Sequence, residues 1–257
     1  MPRRLRLSLA LPVHATSFAH TLAVARAAER GEFDGVWVPD HLVNLAGAES
    51  GVLECWTVLS AVAAVTARVF VGPLVLTAAF RHPPLLAKQA ATLDSLSPGR
   101  LVLGLGGGGF TYDTACAQLG FSPLPPRDRA AQLEETIHCL RRLWANDPAS
   151  VAGRFARARA ARLYPRPSRP IPIVVAARRP LMLRVAARHA DGWNCPPPHE
   201  LEAGLAAIEA NGRGRATIEV STYVVAVIGA DDAAARQNLA RAGRAAAAFG
   251  DVERHHL

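Results

Sequence analysis

Residues Val69 to Gly109 read VFVGPLVLTAAFRHPPLLAKQAATLDSLSPGRLVLGLGGGG, and this stretch decides the fold. Val69 to Leu76 is almost wholly β-branched and aliphatic, which predicts a strand. Pro84 to Leu96 predicts a helix that opens on proline, where a missing N–H is tolerated, and closes at the Ser97-Pro98-Gly99 turn. Leu101 to Leu105 predicts the next strand, and the glycine run Gly106 to Gly109 follows it. A strand, a helix and a strand in this order form a βαβ unit, and the two strands of such a unit run parallel.

The same alternation extends in both directions. Upstream, Leu5 to Leu11 reads as strand one, Phe18 to Arg30 as a helix ending at Gly31, Gly35 to Val38 as strand two, and Leu53 to Thr66 as a helix. The stretch Pro39 to Gly51 between them reads as a loop. Downstream, Arg127 to Trp144 has apolar positions at helical spacing, Ile171 to Ala176 reads as strand five, Pro180 to His189 as a helix and Gly192 to Cys195 as strand six. Pro198 to Asn211 predicts a helix before Gly212, and Ile218 to Ile228 predicts strand seven. Asp231 is placed to cap an Ala-rich helix running to about Phe249. Asn146 to Pro170 is rich in Arg, Ala and Pro with little periodicity, so an irregular insertion at about 146–170, lying over the barrel mouth, is expected. Gly250 to Leu257, with its charges and paired His255-His256, makes a poor eighth strand. The expected fold is α/β: a single domain over residues 1–257, a TIM-type (β/α)8 barrel lacking the eighth strand and final helix.

Composition narrows the class. Half of the 257 residues are hydrophobic and 19% are charged, enough apolar surface for a core and against a disordered chain. Val58 to Val65 is interrupted by Thr66 and Arg68, and nowhere does an apolar run approach the roughly 18 residues of a membrane span. The basic start Met1-Pro-Arg-Arg leads into an alternating strand and not into a signal peptide. Cys55, Cys116, Cys139 and Cys195 are far apart, with no metal-type spacing, which suits reduced packing thiols in cytoplasm and no bound metal. A net charge of +8 draws anions, but the arginines are dispersed and no aromatics are interleaved with them, so nucleic acid is not the expected partner.

In a parallel barrel the loops after the strands carry the chemistry. Asp40-His41 directly follows strand two, and such a pair can orient an imidazole for proton transfer. The plainer reading, that Asp40 caps a turn and His41 packs on it, stays open beside it. Thr77 ends strand three. Gly106 and Gly107 would let a planar ring or a phosphate approach the backbone, although a glycine run also serves simple turns and no acidic residue stands where a dinucleotide site needs one.

Taken in order, these segments resemble the luciferase-like monooxygenase family, which includes deazaflavin-dependent enzymes using coenzyme F-420. The resemblance runs from Leu5 to about Trp193 and includes Ala87 to Arg100, Arg129 to Trp144 with Glu134-Glu135, and Ala190-Asp-Gly-Trp-Asn194. It implies an oxidoreductase that holds reduced deazaflavin (coenzyme F-420), or alternatively FMN, for hydride transfer to a small organic substrate or for its oxygenation. It implies ring contacts from Asp40, Leu74, Val75, Thr77, Gly106, Gly107 and Tyr112, with a non-prolyl cis peptide at Leu74-Val75. His41 matches a proton-donating histidine. The cofactor phosphate is implied at Ala177, Arg178, Arg179, Leu181 and Met182, where a helix begins and its free amides attract an anion.

Two departures stand out. Arg178 and Arg179 replace a usual glycine pair, and their guanidiniums can either bind a phosphate or block its approach. Gly109-Phe110 stands where the sugar-phosphate dehydrogenases of the family carry a glutamate, which argues against hemiacetal oxidation by an acid/base pair. The competing expectation is a non-catalytic or truncated barrel relative acting in binding or assembly. Unpaired edges on strands one and seven, covered by a second subunit or by the tail Arg254 to Leu257, make a homodimer the expected assembly.

Overall fold

The computed structural model describes residues 4–43, 51–109, 111–195 and 198–247. Part of the loop from Pro39 to Gly51, Phe110 and the basic tail lie outside the described residues. The elements follow as β1 (Ser8–Ala10), α1 (Phe18–Arg30), β2 (Gly35–Val38), α2 (Cys55–Val65), β3 (Phe70–Pro73), β4 (Leu76–Thr77), α3 (Pro83–Leu96) and β5 (Leu103–Gly106). After them come α4 (Tyr112–Leu119), α5 (Pro126–Ala145), β6 (Ala149–Ala152), β7 (Arg157–Ala161), β8 (Ile173–Ala176), α6 (Pro180–His189), β9 (Gly192–Cys195), α7 (Leu201–Ala210), β10 (Glu219–Thr222) and α8 (Asp232–Ala247).

Outside the β6–β7 hairpin every strand pair is parallel, in the orders β1-β2-β3 and β4-β5-β8-β9-β10. A parallel bridge from Val71 to Leu101 ties the two groups, and β4 continues β3 past Leu74 and Val75. The alternation read from the sequence is therefore the alternation of the fold, a TIM-type barrel architecture. Strands buried on both faces carry Val36, Val38, Val71, Leu76, Leu103, Leu105, Ile173 and Val175, and the helices close over them with Leu59, Leu86, Leu133, Ile137 and Leu140. Each such side chain contributes about 1.5–3 kcal/mol on burial.

Three expectations change. The segment 146–170 is not wholly irregular: β6 and β7 pair antiparallel as a hairpin packed against α5 and α3. Its turn is held where Glu135 accepts the N–H groups of Phe155 and Ala156, and Arg154 pairs with Asp128. Strand seven, expected over Ile218–Ile228, is regular only at Glu219–Thr222, because its partner β9 offers only Gly192–Cys195 for pairing. Beyond it Val224 and Ile228 are exposed. Arg6, ahead of β1, forms an ion pair with Glu219 of β10 and so joins the two outer strands. The helix α4, capped by Gly120 at φ 74°, was not expected at all. Asp231 does cap α8, accepting the N–H of Ala234 at 2.8 Å.

Candidate active site at the barrel mouth

The parallel register sets the strand ends side by side: Val38 beside Pro73, Thr77 beside Gly106, Ala176 beside Asn194 and Thr222 beside Cys195. The loops leaving them open on one face, where barrel chemistry is found.

His41 does not stand alone there. His14, just after β1, places Nε2 2.6 Å from His41 Nδ1, with ring centroids 4.8 Å apart. His14 is itself pinned, because the chain around it bridges to Val52 and the Val13 carbonyl accepts the N–H of Leu53. One ring must donate and the other accept, so each fixes the tautomer of the other. Burial, with a second contribution from the neighbouring His14, pushes the His41 imidazole down to about 4. It is neutral at neutral pH.

Asp40 is fully buried behind this pair. Its carboxylate accepts the Thr77 N–H at 2.9 Å and both Arg81 nitrogens at 3.0 and 2.7 Å, and Arg81 also reaches Glu54 at 2.9 Å. Glu54 caps α2 through the N–H groups of Trp56 and Thr57. Burial raises the Asp40 carboxyl above its ordinary value, while Arg81 and the Thr77 amide pull the other way. The geometry thus gives Asp40 a bracing task, locking the end of β2 to β4. Cys55, its thiol on the Val38 carbonyl and pushed far up by burial, is a packing thiol.

The next wall is the Leu74-Val75 peptide, which is cis and non-prolyl as the resemblance implied. Both residues are half-buried. A Cβ on Gly106 would lie 2.8 Å from Val75 Cγ2, and one on Gly107 would lie 2.0 Å from Met182 Cε. A side chain at Gly106 would press on Val75, whereas at Gly107 the flexible end of Met182 would have to swing aside. The contacts Asp40–Thr77, Val75–Gly106 and Gly107–Met182 make one row across the mouth, bringing those expected residues together.

Tyr112 lies beneath that row, nearly fully buried. Its ring stacks on Phe80 with centroids 5.4 Å apart, its hydroxyl accepts the Leu124 N–H at 2.9 Å, and the Arg129 guanidinium sits 4.7 Å from the ring centre. Arg129 is less well satisfied. Its buried Nε has no hydrogen-bond partner, and Nη1 reaches the Gly107 and Gly108 carbonyls only at 3.5 Å. A cation with spare donors beside glycines and a half-buried apolar wall suits a planar, electron-rich ring, so the residues present fit a deazaflavin or a flavin.

The phosphate end is more crowded. Ala177 spends its carbonyl on Trp193 Nε1 at 2.8 Å and its amide on the Asn194 carbonyl. Arg179 caps α6 without a side-chain hydrogen bond, and Leu181 and Met182 sit in the first turn. Arg178 is paired with Glu200, its Nε 2.8 Å from each carboxylate oxygen, so a carboxylate already holds the place a phosphate would take. His14, Arg81, Arg129 and Glu200 are the residues that sequence reasoning missed.

A family model described as luciferase-like monooxygenase matches residues 6–256. An F420-dependent glucose-6-phosphate dehydrogenase from Intrasporangium calvum is 37% identical over 65% of this chain and 51% of its own length. An F420-dependent hydroxymycolic acid dehydrogenase from Mycobacterium tuberculosis is 34% identical over 84% of this chain and 61% of its own. Among solved structures, the monooxygenase RslO1 from Streptomyces bottropensis superposes with a TM-score of 0.78 at 26% identity, covering 95% of this chain and 79% of that one. The chain thus spans about half to three fifths of the length of these curated relatives.

Proposed function

The chain belongs to the luciferase-like monooxygenase family, and we propose that it is an oxidoreductase that uses coenzyme F-420 to exchange a hydride with a small organic substrate. The F420-dependent relatives at 37% and 34% identity support this cofactor. The observation that carries the chemistry is the His14–His41 pair at the mouth. The deazaflavin supplies the hydride exchange. The half-buried Leu74 and Val75, with Gly106, Gly107 and Arg129, would hold and orient its ring, and Arg179 and the start of α6 would receive its phosphate, joined by Arg178 where its Glu200 pair gives way. His41, neutral at pH 7, moves the proton that accompanies the hydride, and His14 sets which nitrogen carries it.

FMN with oxygenation of the substrate is the second reading, favoured by the likeness to the Streptomyces bottropensis monooxygenase. A non-catalytic binding or assembly role is the third. Among the described residues no helix is long and apolar enough to cross a membrane. We infer a cytoplasmic homodimer in which a second subunit covers the exposed Leu5, Leu7, Val224 and Ile228, a reading supported by those side chains and by four buried free cysteines. Light scattering at micromolar concentration tests the dimer.

Thermal unfolding with each cofactor tests the rest. Reduced deazaflavin raises the Tm more than FMN does, by mass action on the folded state. No shift with either cofactor overturns the enzyme reading. His41→Ala keeps most of the binding and slows turnover by roughly 10²-fold. An unchanged rate returns His41 to packing.

A further inference from the structure

On the outer helical layer, Glu134 and His138 stand one turn apart on the same face of α5, and His189 closes the adjoining helix α6. Glu134 Oε1 lies 2.8 Å from His189 Nε2, and His138 Nε2 lies 3.2 Å from His189 Nδ1. One donor atom from each residue falls within 4.8 Å of the other two. A zinc ion with bonds of about 2.0–2.1 Å separates tetrahedral donors by roughly 3.4 Å, and because His189 can offer a metal only one of its two ring nitrogens, binding would exchange one of these hydrogen bonds for a metal bond while the three donors draw in from within 4.8 Å.

We propose that Glu134, His138 and His189 form a divalent transition-metal site of the zinc class, with water completing the shell. Two imidazoles and one carboxylate suit zinc, cobalt(II) or nickel(II). Magnesium and calcium prefer all-oxygen sets. The half-buried Glu134 and His189 give two preoriented donors, and the exposed His138 leaves an entry path. The nearby cation Arg141 is offset by Asp191, its partner at 3.2 Å. Such an ion would tie α5 to α6 at the end of α6 away from the mouth, independent of the redox site. The sequence hides the set because His189 is 51 residues from His138.

The test uses the full chain after chelator treatment. Cobalt(II) should develop visible ligand-field bands, zinc should raise the Tm, and magnesium should do neither. Glu134→Gln and His138→Ala should each weaken cobalt binding at least about tenfold, while the double variant His255→Ala/His256→Ala should bind as before. His138 is exposed, so its variant folds and the comparison stands. Undiminished binding in His138→Ala, loss of binding in the tail variant, or no response at about 1 mM metal overturns the proposal.

Discussion

Arg68 and Arg100 at one end of the barrel and Arg129 at the other use the same side chain in opposite ways. At the end where the strands begin, Arg68 donates to the carbonyls of Phe33, Glu29 and Gly31 at 2.7–2.8 Å, and Glu29 accepts the amides of Ala67, Arg68 and Val69. Arg100 donates to Thr66 Oγ1 and to the carbonyls of Val69 and Ala63. At the mouth, Arg129 keeps a buried Nε without a partner, and His41 is held neutral beside His14. Saturated charges stabilise, while undersatisfied ones in a cleft mark a place for a ligand. The contrast is between these particular arginines and not between all charges of the two ends, since Arg81 at the mouth is fully paired and the Nε of Arg213, ahead of β10, is buried without a partner.

Paired substitutions break the comparison most strongly. Arg100→Met strands the Ala63 and Val69 carbonyls and should cost about 2–4 kcal/mol. Arg129→Met keeps the buried stem, removes the orphaned Nε and should change stability by less than about 1 kcal/mol, while weakening deazaflavin binding. Urea unfolding of both variants measures the first effect and cofactor titration the second. Equal destabilisation would erase the distinction between the faces.

The pH response sharpens it next. The folded chain holds His41 near 4 against an ordinary 6.5, so between those values the unfolded chain binds a proton that the folded chain refuses. The stability tied to this group is complete above about pH 6.5 and is lost as the pH falls toward 4, by at most about 3 kcal/mol and less where solvent reaches the ring. His41→Gln keeps a partner for His14 without the titration. Its unfolding free energy should fall less steeply over that window, and an identical slope would place the acid sensitivity elsewhere.

Much of the barrel was legible because helices and buried strands leave periodic marks along the chain, and α1, α5, α6, β2 and β9 fall where those marks predict. The hairpin escaped because Ala149–Ala152 and Arg157–Ala161 offer alanine and arginine in place of an alternating pattern. The length of strand seven escaped because the partner sets it, not the strand's own β-branched run. At the site, the position of Asp40 and His41 after a strand was visible. Their roles were not, because they depend on partners distant in sequence: His14 is 27 residues from His41, and Arg81 is 41 from Asp40.

The smallest expected effect lies at the phosphate end, where the two faces resemble each other most. Arg178 is paired there as the arginines of the opposite end are, but with an exposed carboxylate and not with carbonyls. The Glu200 side-chain bond holds the Arg178 guanidinium above its ordinary value, and the same bond lowers the Glu200 carboxyl. Exposed pairs of this kind contribute little to stability, so Glu200→Gln should leave the Tm nearly unchanged. It should release Arg178 to a phosphate entering at the α6 N-terminus and tighten deazaflavin binding by about two- to fivefold, an effect that shrinks as salt is raised. Arg178→Ala should then cancel the gain. If Glu200→Gln weakens binding instead, the ion pair is part of the cofactor's seat, and its carboxylate orients Arg178 for the phosphate without competing with it.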